Sequence, residues 1–377
     1  MIPVLRPLLP SAERLLPYLR RIDRVRVYSN HGPLVEELER RLAAQLKLPE
    51  GGLMSAASGT AALTGAILAT AGQAQPDRPL AVVPAFTFVA TAAAVERCGY
   101  RAYLVDIDHD TWSLDPRSLA EHRDISRFGV VVPVAPFGRG VPQHPWDAFR
   151  RQTGIPVVID GAASFEALED HPGRFIGDIP VVLSFHATKS FATGEGGGVV
   201  VTDGDLARRV VQALNFGFFG SRDSQSPSLN GKMSEYHAAV GLAELDSWSA
   251  KRAALHSVAD CYRVLMDRAG LQRCYLVWPD IASCYALFSC KDSFEAERVR
   301  SNLLRDRIDF RMWYGSGLHV QHQFADLPRD TLPNTKMIAP SLIGLPVAPD
   351  LPQAEISRIA ASLASTFASP AKIRRRD

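Results

Sequence analysis

One lysine stands where an amine could act as a nucleophile. The segment from Val181 to Thr202, VVLSFHATKSFATGEGGGVVVT, opens with an apolar run ending at Phe185 and closes with a β-branched run from Val199 to Thr202. That is the pattern of strand, loop, strand. Lys189 is the only amine between the two runs, flanked by the hydroxyls of Ser184, Thr188 and Ser190 and the imidazole of His186. Gly194, Gly196, Gly197 and Gly198 let backbone pass close to something bulky. A lysine becomes a nucleophile when a partly desolvated pocket favours its neutral form, and a loop between two core strands can provide one. The plainer alternative is a solvated lysine on a glycine-rich hairpin.

Two further stretches carry chemistry. Asp160 ends the uncharged run IPVVI, and a carboxylate at a buried strand end requires a partner. SGTAAL, Ser58 to Leu63, opens an Ala/Leu-rich helix with a glycine and a hydroxyl. A helix start of this kind binds anions, because unpaired N–H groups and the helix dipole both point outward there. Its alternative is an ordinary N-cap by Ser58.

The elements that must hold these residues alternate. From Leu80 the chain reads as strand LAVVP, a helix around VATAAAVERCG, strand AYLVDID, a helix after Pro116, strand GVVVPVAPFG, a helix around HPWDAFRRQTG and strand IPVVIDGAA. Apolar strands alternating with helices predict an α/β fold with a mainly parallel sheet covered on both faces and ligands at the carboxyl ends of its strands. Upstream, Pro33 suits a first helical position, and Leu34, Leu38, Leu42 and Leu46 recur at helical spacing. Arg26, Tyr28 and Asn30 precede it as substrate-contact candidates or solvated side chains. Downstream, a helical stretch is predicted from Met233 to about Ala269. After it come short strands such as SCYALFSC, a helix around SFEAERVRSNLLRD and a last helix from Pro352 to about Ala368, the pattern of a smaller α+β unit. The reading divides the chain into residues 1–250 and 251–377.

Composition removes several function classes. The chain has 377 residues, with 42 Lys plus Arg against 40 Asp plus Glu, so there is no global basic field for nucleic acid. The one charge run, KIRRRD at 372–377, reads as a solvated end. No apolar run reaches the roughly 20 residues that span a bilayer, and no signal-peptide core is apparent; a cytoplasmic protein without a membrane partner is predicted. The five cysteines lack CxxC spacing, which supports neither a disulfide framework nor a metal site. No Walker loop or GxGxxG after a strand is present, which argues against a nicotinamide oxidoreductase.

In order along the chain, SGTAAL, PAFTF, VVIDGAA, SFHATKSFATGEGG and LNGKM resemble the motifs of the DegT/DnrJ/EryC1/StrS aminotransferases, which are pyridoxal 5′-phosphate (PLP) enzymes of fold type I. The resemblance spans nearly the whole chain. It implies a seven-stranded, mostly parallel sheet with helices on both faces, the strand at Val199 to Thr202 running antiparallel, and a smaller C-terminal α+β domain. It also implies that Lys189 forms a Schiff base with PLP and that Asp160 pairs with the ring nitrogen. Phe88 would cover the ring, with core packing as its alternative. Gly59, Thr60, Ala61 and Ser184 would hold the phosphate. Asn230 would reach the phosphate of a neighbouring subunit, making a homodimer with shared sites; a turn-forming asparagine is the alternative. Glu195 is read as a structural residue of the turn.

One departure stands out: Ala163 occupies the position where the family places a His or Gln that contacts the cofactor's 3-hydroxyl, and Ser164 is the nearest substitute. Trp313 and His319, in a segment loosely similar to one near the sugar pocket, are candidates for substrate contact or for packing. The activity implied is transfer of an amino group from an amino acid, L-glutamate, to a keto sugar, a nucleotide-linked 3- or 4-keto-6-deoxyhexose. Alternatives are a cyclitol or other non-sugar ketone as acceptor, or a PLP-binding regulator without turnover.

Overall fold

In the computed structural model, residues 1–367 are described; the KIRRRD run lies outside them. Seven strands form the frame of the site: β1 (Leu53–Ala56), β2 (Leu80–Pro84), β3 (Arg101–Val105), β4 (Phe128–Val131), β5 (Ile159–Asp160), β6 (Val181–Ser184) and β7 (Gly197–Val200). One sheet has the order β3-β2-β4 and another β1-β7-β6-β5. They meet where Val131 bridges Val157 and Val134 bridges Asp160 in parallel, so the two run on as one seven-stranded sheet. The ladder is reduced to isolated bridges here because Pro133 and Pro156 each lack an N–H. Strands β2 to β6 pair parallel, while β7 runs antiparallel to both β6 and β1. The carboxyl ends of the parallel strands therefore share one rim, as such crossover folds require.

Strand β1 has no counterpart in the sequence reading, which placed only small residues ahead of a helix there. LMSA has weak strand propensity, but all four residues are buried and register against β7, Met54 with Val199 and Ser55 with Gly198. Tertiary pairing overrides propensity at this edge. The outer edge of β3 is covered in turn: Leu104 N–H donates to the Pro328 carbonyl at 2.9 Å, which removes an exposed strand edge.

The first helix, α1 (Ala12–Val25), has no counterpart in the sequence reading, whereas the next three follow it closely: α2 (Pro33–Gln45), α3 (Gly59–Ala71) and α4 (Val89–Arg97). Pro33 is the first residue of α2, and Leu34, Leu38, Leu42 and Leu46 are all buried. The long helix predicted over 233–269 is instead two helices, Glu235–Leu245 and Trp248–Arg268. Ser247 breaks it: its hydroxyl donates back to the Ala243 carbonyl at 3.2 Å while its backbone leaves helical geometry, a local competition that serine makes readily. The break turns the Trp248 ring onto Phe165 and Phe191, with ring centroids 5.3 and 5.8 Å apart.

The C-terminal part is α+β. An antiparallel sheet orders as β10-β9-β8, with β8 (Tyr275–Leu276), β9 (Leu287–Ser289) and β10 (Leu342–Gly344). Helices Ser293–Arg305 and Gln353–Phe367 cover it. Its core holds Val258, Met266, Phe288, Ile343 and Leu363, and also Ile2 from the far end of the chain. Conversely, Leu318, Phe324, Leu327 and Leu332 pack into the core of the large sheet. Packing thus crosses chain order in both directions. No helix among the described residues is long and apolar enough to cross a membrane.

Candidate active site

At the carboxyl rim of the sheet lies a cavity of about 620 Å³. Its floor comes from the ends of β5 and β6 and the N-terminus of α3; its far wall comes from the C-terminal part, through Tyr285 and residues 311–314. Lys189, Asp160, Gly59, Thr60, Phe88, Ser184 and Ala163 all line it. Residues 130 positions apart in sequence thus meet in one place, as the parallel strand order demands.

Contact between α3 and the sheet depends on two glycines. A Cβ on Gly59 would lie 2.8 Å from the Ser184 Cβ, and one on Gly197 would lie 2.7 Å from backbone atoms of Ser58 and Gly59. Without side chains there, the helix start seats directly on β6 and β7. The Gly59 and Thr60 N–H groups have no partner among the described residues, as first-turn donors do not. Ala61 differs from the reading. Its N–H donates to the Ser58 hydroxyl at 3.1 Å, and it does not line the cavity; Ser58 is thus an N-cap that orders the helix start, and the donors left for an anion are Gly59 and Thr60.

Asp160 is 7% exposed. Its Oδ2 accepts from the Thr91 hydroxyl at 2.7 Å and its Oδ1 from the Ala162 N–H at 3.2 Å. Thr91 in turn meets Thr87 at 2.9 Å. Burial pushes the Asp160 carboxyl above its ordinary pKa, opposed by those two hydrogen bonds and by the charge of Lys189. A group whose charged form is this short of solvent is stabilised by a cationic N–H partner.

Lys189 reaches into the cavity and donates from Nζ to the Tyr285 hydroxyl at 2.9 Å. The sequence reading missed Tyr285, which it placed only within a short strand. Its ring stands edge-on to Phe137 and Trp313, at 5.5 and 5.3 Å. The neighbouring Cys284 thiol is pushed up to about 12 by burial and is no nucleophile there.

The remaining candidates divide. Phe88 is 56% exposed on the cavity wall, which excludes core packing. Trp313 lines the cavity; His319 does not, and burial together with the nearby Arg329 and Lys336 holds its pKa down. Arg26, Tyr28 and Asn30 are not among the lining residues either. Ser164 does not replace the missing side chain at Ala163: it is buried, outside the lining, and its hydroxyl has no partner among the described residues. Glu195 stays within the loop, its Oε1 3.9 Å from His186 Nε2. Asn230 is exposed, accepts from Lys232 Nζ at 2.8 Å and lies outside the lining of its own chain's cavity. No cluster of metal-ligating side chains occurs among the described residues.

An amine, a buried carboxylate and an unpaired helix N-terminus around one cavity fit an aldehyde, a ring nitrogen and a phosphate. Residues 11–364 match the DegT/DnrJ/EryC1/StrS aminotransferase family. The chain belongs to that family. It is accordingly a PLP-dependent aminotransferase of fold type I. Among its relatives, protein Rv3402c of Mycobacterium tuberculosis H37Rv is 32% identical over 96% of this chain and 89% of its own length. The UDP-2-acetamido-2-deoxy-3-oxo-D-glucuronate aminotransferase of Pseudomonas aeruginosa is 29% identical over 88% and 90%. The crystal structure of DesI in the presence of its TDP-sugar product superposes with a TM-score of 0.84 at 29% identity, covering 97% of this chain and 93% of that one.

Proposed function

We propose that this family member moves an amino group from L-glutamate to a nucleotide-linked keto sugar, a 3- or 4-keto-6-deoxyhexose. The observation that carries the reading is the meeting of Lys189, Asp160 and the α3 N-terminus around one cavity, in a chain similar along most of its length to an aminotransferase of a UDP-linked oxo sugar. PLP supplies an aldehyde that condenses with amines and a ring that accepts the electrons released when the substrate Cα–H bond breaks.

The chain's own residues do the rest. The Gly59 and Thr60 N–H groups, with Ser184, hold the phosphate at the positive end of α3. Asp160 keeps the ring nitrogen protonated, and Thr91 holds that carboxylate in one orientation. Lys189 Nζ is the amine that would hold the aldehyde and, once freed by the donor's amine, would take the substrate Cα proton and deliver it to the former aldehyde carbon, as general base and then general acid. Phe88 and Trp313 line the cavity and put apolar surface against whatever it holds.

Asn230 completes the phosphate site of a second copy in a homodimer. In support, the exposed Phe216 lies beside it, tied to this segment by the Asn215–Asn230 bridge, the hydrogen bond from the Phe216 N–H to the Leu229 carbonyl at 3.1 Å and the contact of Lys232 with the Phe216 ring. Unpaired cysteines at all five positions agree with a reducing, cytoplasmic setting.

The test is a pair of half-reactions. Protein loaded with PLP and given L-glutamate is expected to convert to the amine form of the cofactor, and candidate nucleotide-linked keto sugars to return it to the aldehyde. Lys189→Ala is expected to lose at least a thousandfold in rate, since general acid–base catalysis alone contributes roughly 10²–10⁴-fold. Conversion by Lys189→Ala at the wild-type rate sinks the assignment, and return only with cyclitols or simple ketones sinks the acceptor.

A further inference from the structure

The Lys189 amine is held by a neutral group. Tyr285 is the one side chain that hydrogen-bonds to it, at 2.9 Å, and the Tyr285 oxygen makes no other hydrogen bond among the described residues. We propose that the Tyr285 hydroxyl is the standing hydrogen-bond partner of Lys189 Nζ in both of its protonation states, and hence a catalytic residue of the proton transfer. The inference rests on the reading of Lys189 as the amine that carries the proton.

The chemistry follows from what a phenol can do. A carboxylate only accepts; a phenol accepts from an ammonium and donates to the lone pair of a neutral amine. It can therefore follow a proton onto and off Nζ without moving, while its own proton stays on oxygen. Burial, with Cys284 adding to it, holds the Tyr285 pKa well above the ordinary phenol value, so the hydroxyl remains neutral across working pH. Hydrogen bonds with an ionised donor are about twice as strong as neutral ones. Replacing the hydroxyl with an apolar wall therefore takes more from the ammonium than from the neutral amine.

The hydroxyl is fixed from behind. Glu166, 2% exposed, accepts from the Ser283 N–H and hydroxyl at 2.9 and 2.8 Å and is itself held by His256 at 3.1 Å. Ala282 N–H donates to the Phe137 carbonyl at 2.9 Å. The backbone two and three residues before Tyr285 is thus anchored to the helix after β5 and the turn after β4, and its ring is clamped edge-on by Phe137 and Trp313. The other charged or titratable groups facing Lys189 are Asp160 from β5, Cys284 and Tyr314 from the C-terminal part, His186 and Glu195 from the loop, and Arg311 across the cavity. Arg6 and Lys251 lie behind it, paired with Asp350 and Glu244. All of these persist in a Tyr285→Phe protein, so a change in Lys189 titration reports the hydroxyl.

The experiment uses trace acetylation of the cofactor-free protein by acetic anhydride across pH, read at Lys189 by peptide mass spectrometry with surface lysines as internal standards. Tyr285→Phe is expected to lower the Lys189 midpoint by about one unit, a tenfold change in its protonation equilibrium. With PLP and substrates, kcat should fall about tenfold or more with KM nearly unchanged. A folded Tyr285→Phe protein, verified by circular dichroism, that titrates at the wild-type midpoint overturns the proposal. Should that variant not fold, Tyr285→Gln carries the test, since its amide both accepts and donates. A midpoint within about half a unit of wild type supports the role, and a fall of a full unit overturns it. Borohydride trapping of PLP, mapped separately, distinguishes failure of the underlying reading: an adduct away from Lys189 defeats that reading, whereas the acetylation midpoint tests Tyr285 alone.

Discussion

The seat of α3 on the sheet can be tested with one methyl group. In Gly197→Ala, the new Cβ would lie 2.7 Å from Gly59 N, Ser58 C and Ser58 O, all backbone atoms that cannot rotate away. Ordinary contact begins near 3.4 Å, so the helix start must retreat by the difference, 3.4 − 2.7 = 0.7 Å. Overpacking of this kind costs about 1–3 kcal/mol, against a gain of about 0.4–1 kcal/mol from a stiffer unfolded chain. Gly204→Ala is the matched control: it has the same unfolded-chain gain, and nothing lies within 4 Å of its Cβ. In urea titrations of cofactor-free protein, Gly204→Ala is expected to be neutral or slightly stabilised and Gly197→Ala destabilised by about 1–2 kcal/mol. The same retreat draws the Gly59 and Thr60 N–H groups from the phosphate. Losing one hydrogen bond to a charged group, about 1.5–3 kcal/mol, weakens PLP binding roughly 10- to 100-fold, measurable by absorbance titration. If the two variants match in both stability and PLP affinity, the account of the α3 anion site is wrong.

Two further outcomes follow from the site. Burial raises the Asp160 pKa in the folded state, so the folded chain holds that proton more tightly than the unfolded chain; stability from this source is present at low pH and is lost as pH rises through the folded-state value. Cofactor-free Asp160→Asn should therefore gain on wild type as pH rises above about 4, the unfolded aspartate value, while transaminating far more slowly; urea midpoints at pH 5 and pH 8 that move the other way would contradict the environment described for Asp160. For the shared site, Asn230→Ala and Lys189→Ala proteins, each impaired alone, should regain activity when mixed and allowed to exchange subunits, because one site of the hybrid then has both residues. No regain, with exchange verified by mass spectrometry, removes Asn230 from the partner's site.

Much of the site was legible locally. Lys189 between two apolar runs, Asp160 at the end of another and Ser58 before an Ala/Leu-rich helix are each marked by residues within about ten positions of the side chain itself, and strand alternation and N-capping act over that range. Ala61, a phosphate donor by resemblance, instead gives its N–H to Ser58, because which first-turn N–H the cap consumes depends on side-chain geometry. The same local rules ran the helix through Ser247, whose back-bonded hydroxyl is a local device but whose outcome is decided by where the Trp248 ring can pack.

By itself, the sequence determined most strand and helix types and marked Lys189, Asp160 and the helix start after Ser58 as candidates, because these signals follow from periodicity and residue chemistry over short spans; their roles came from the family resemblance. The tertiary structure alone decided that β1 exists at all, that Gly197 must be bare to admit α3, that Ala163 has no substitute in Ser164, and that Tyr285, 96 residues from Lys189, touches its amine. The physical reason is common to all four: each depends on which elements lie side by side, and that is settled by the order of strands in the sheet and the closure of distant segments over it, not by any neighbour along the chain.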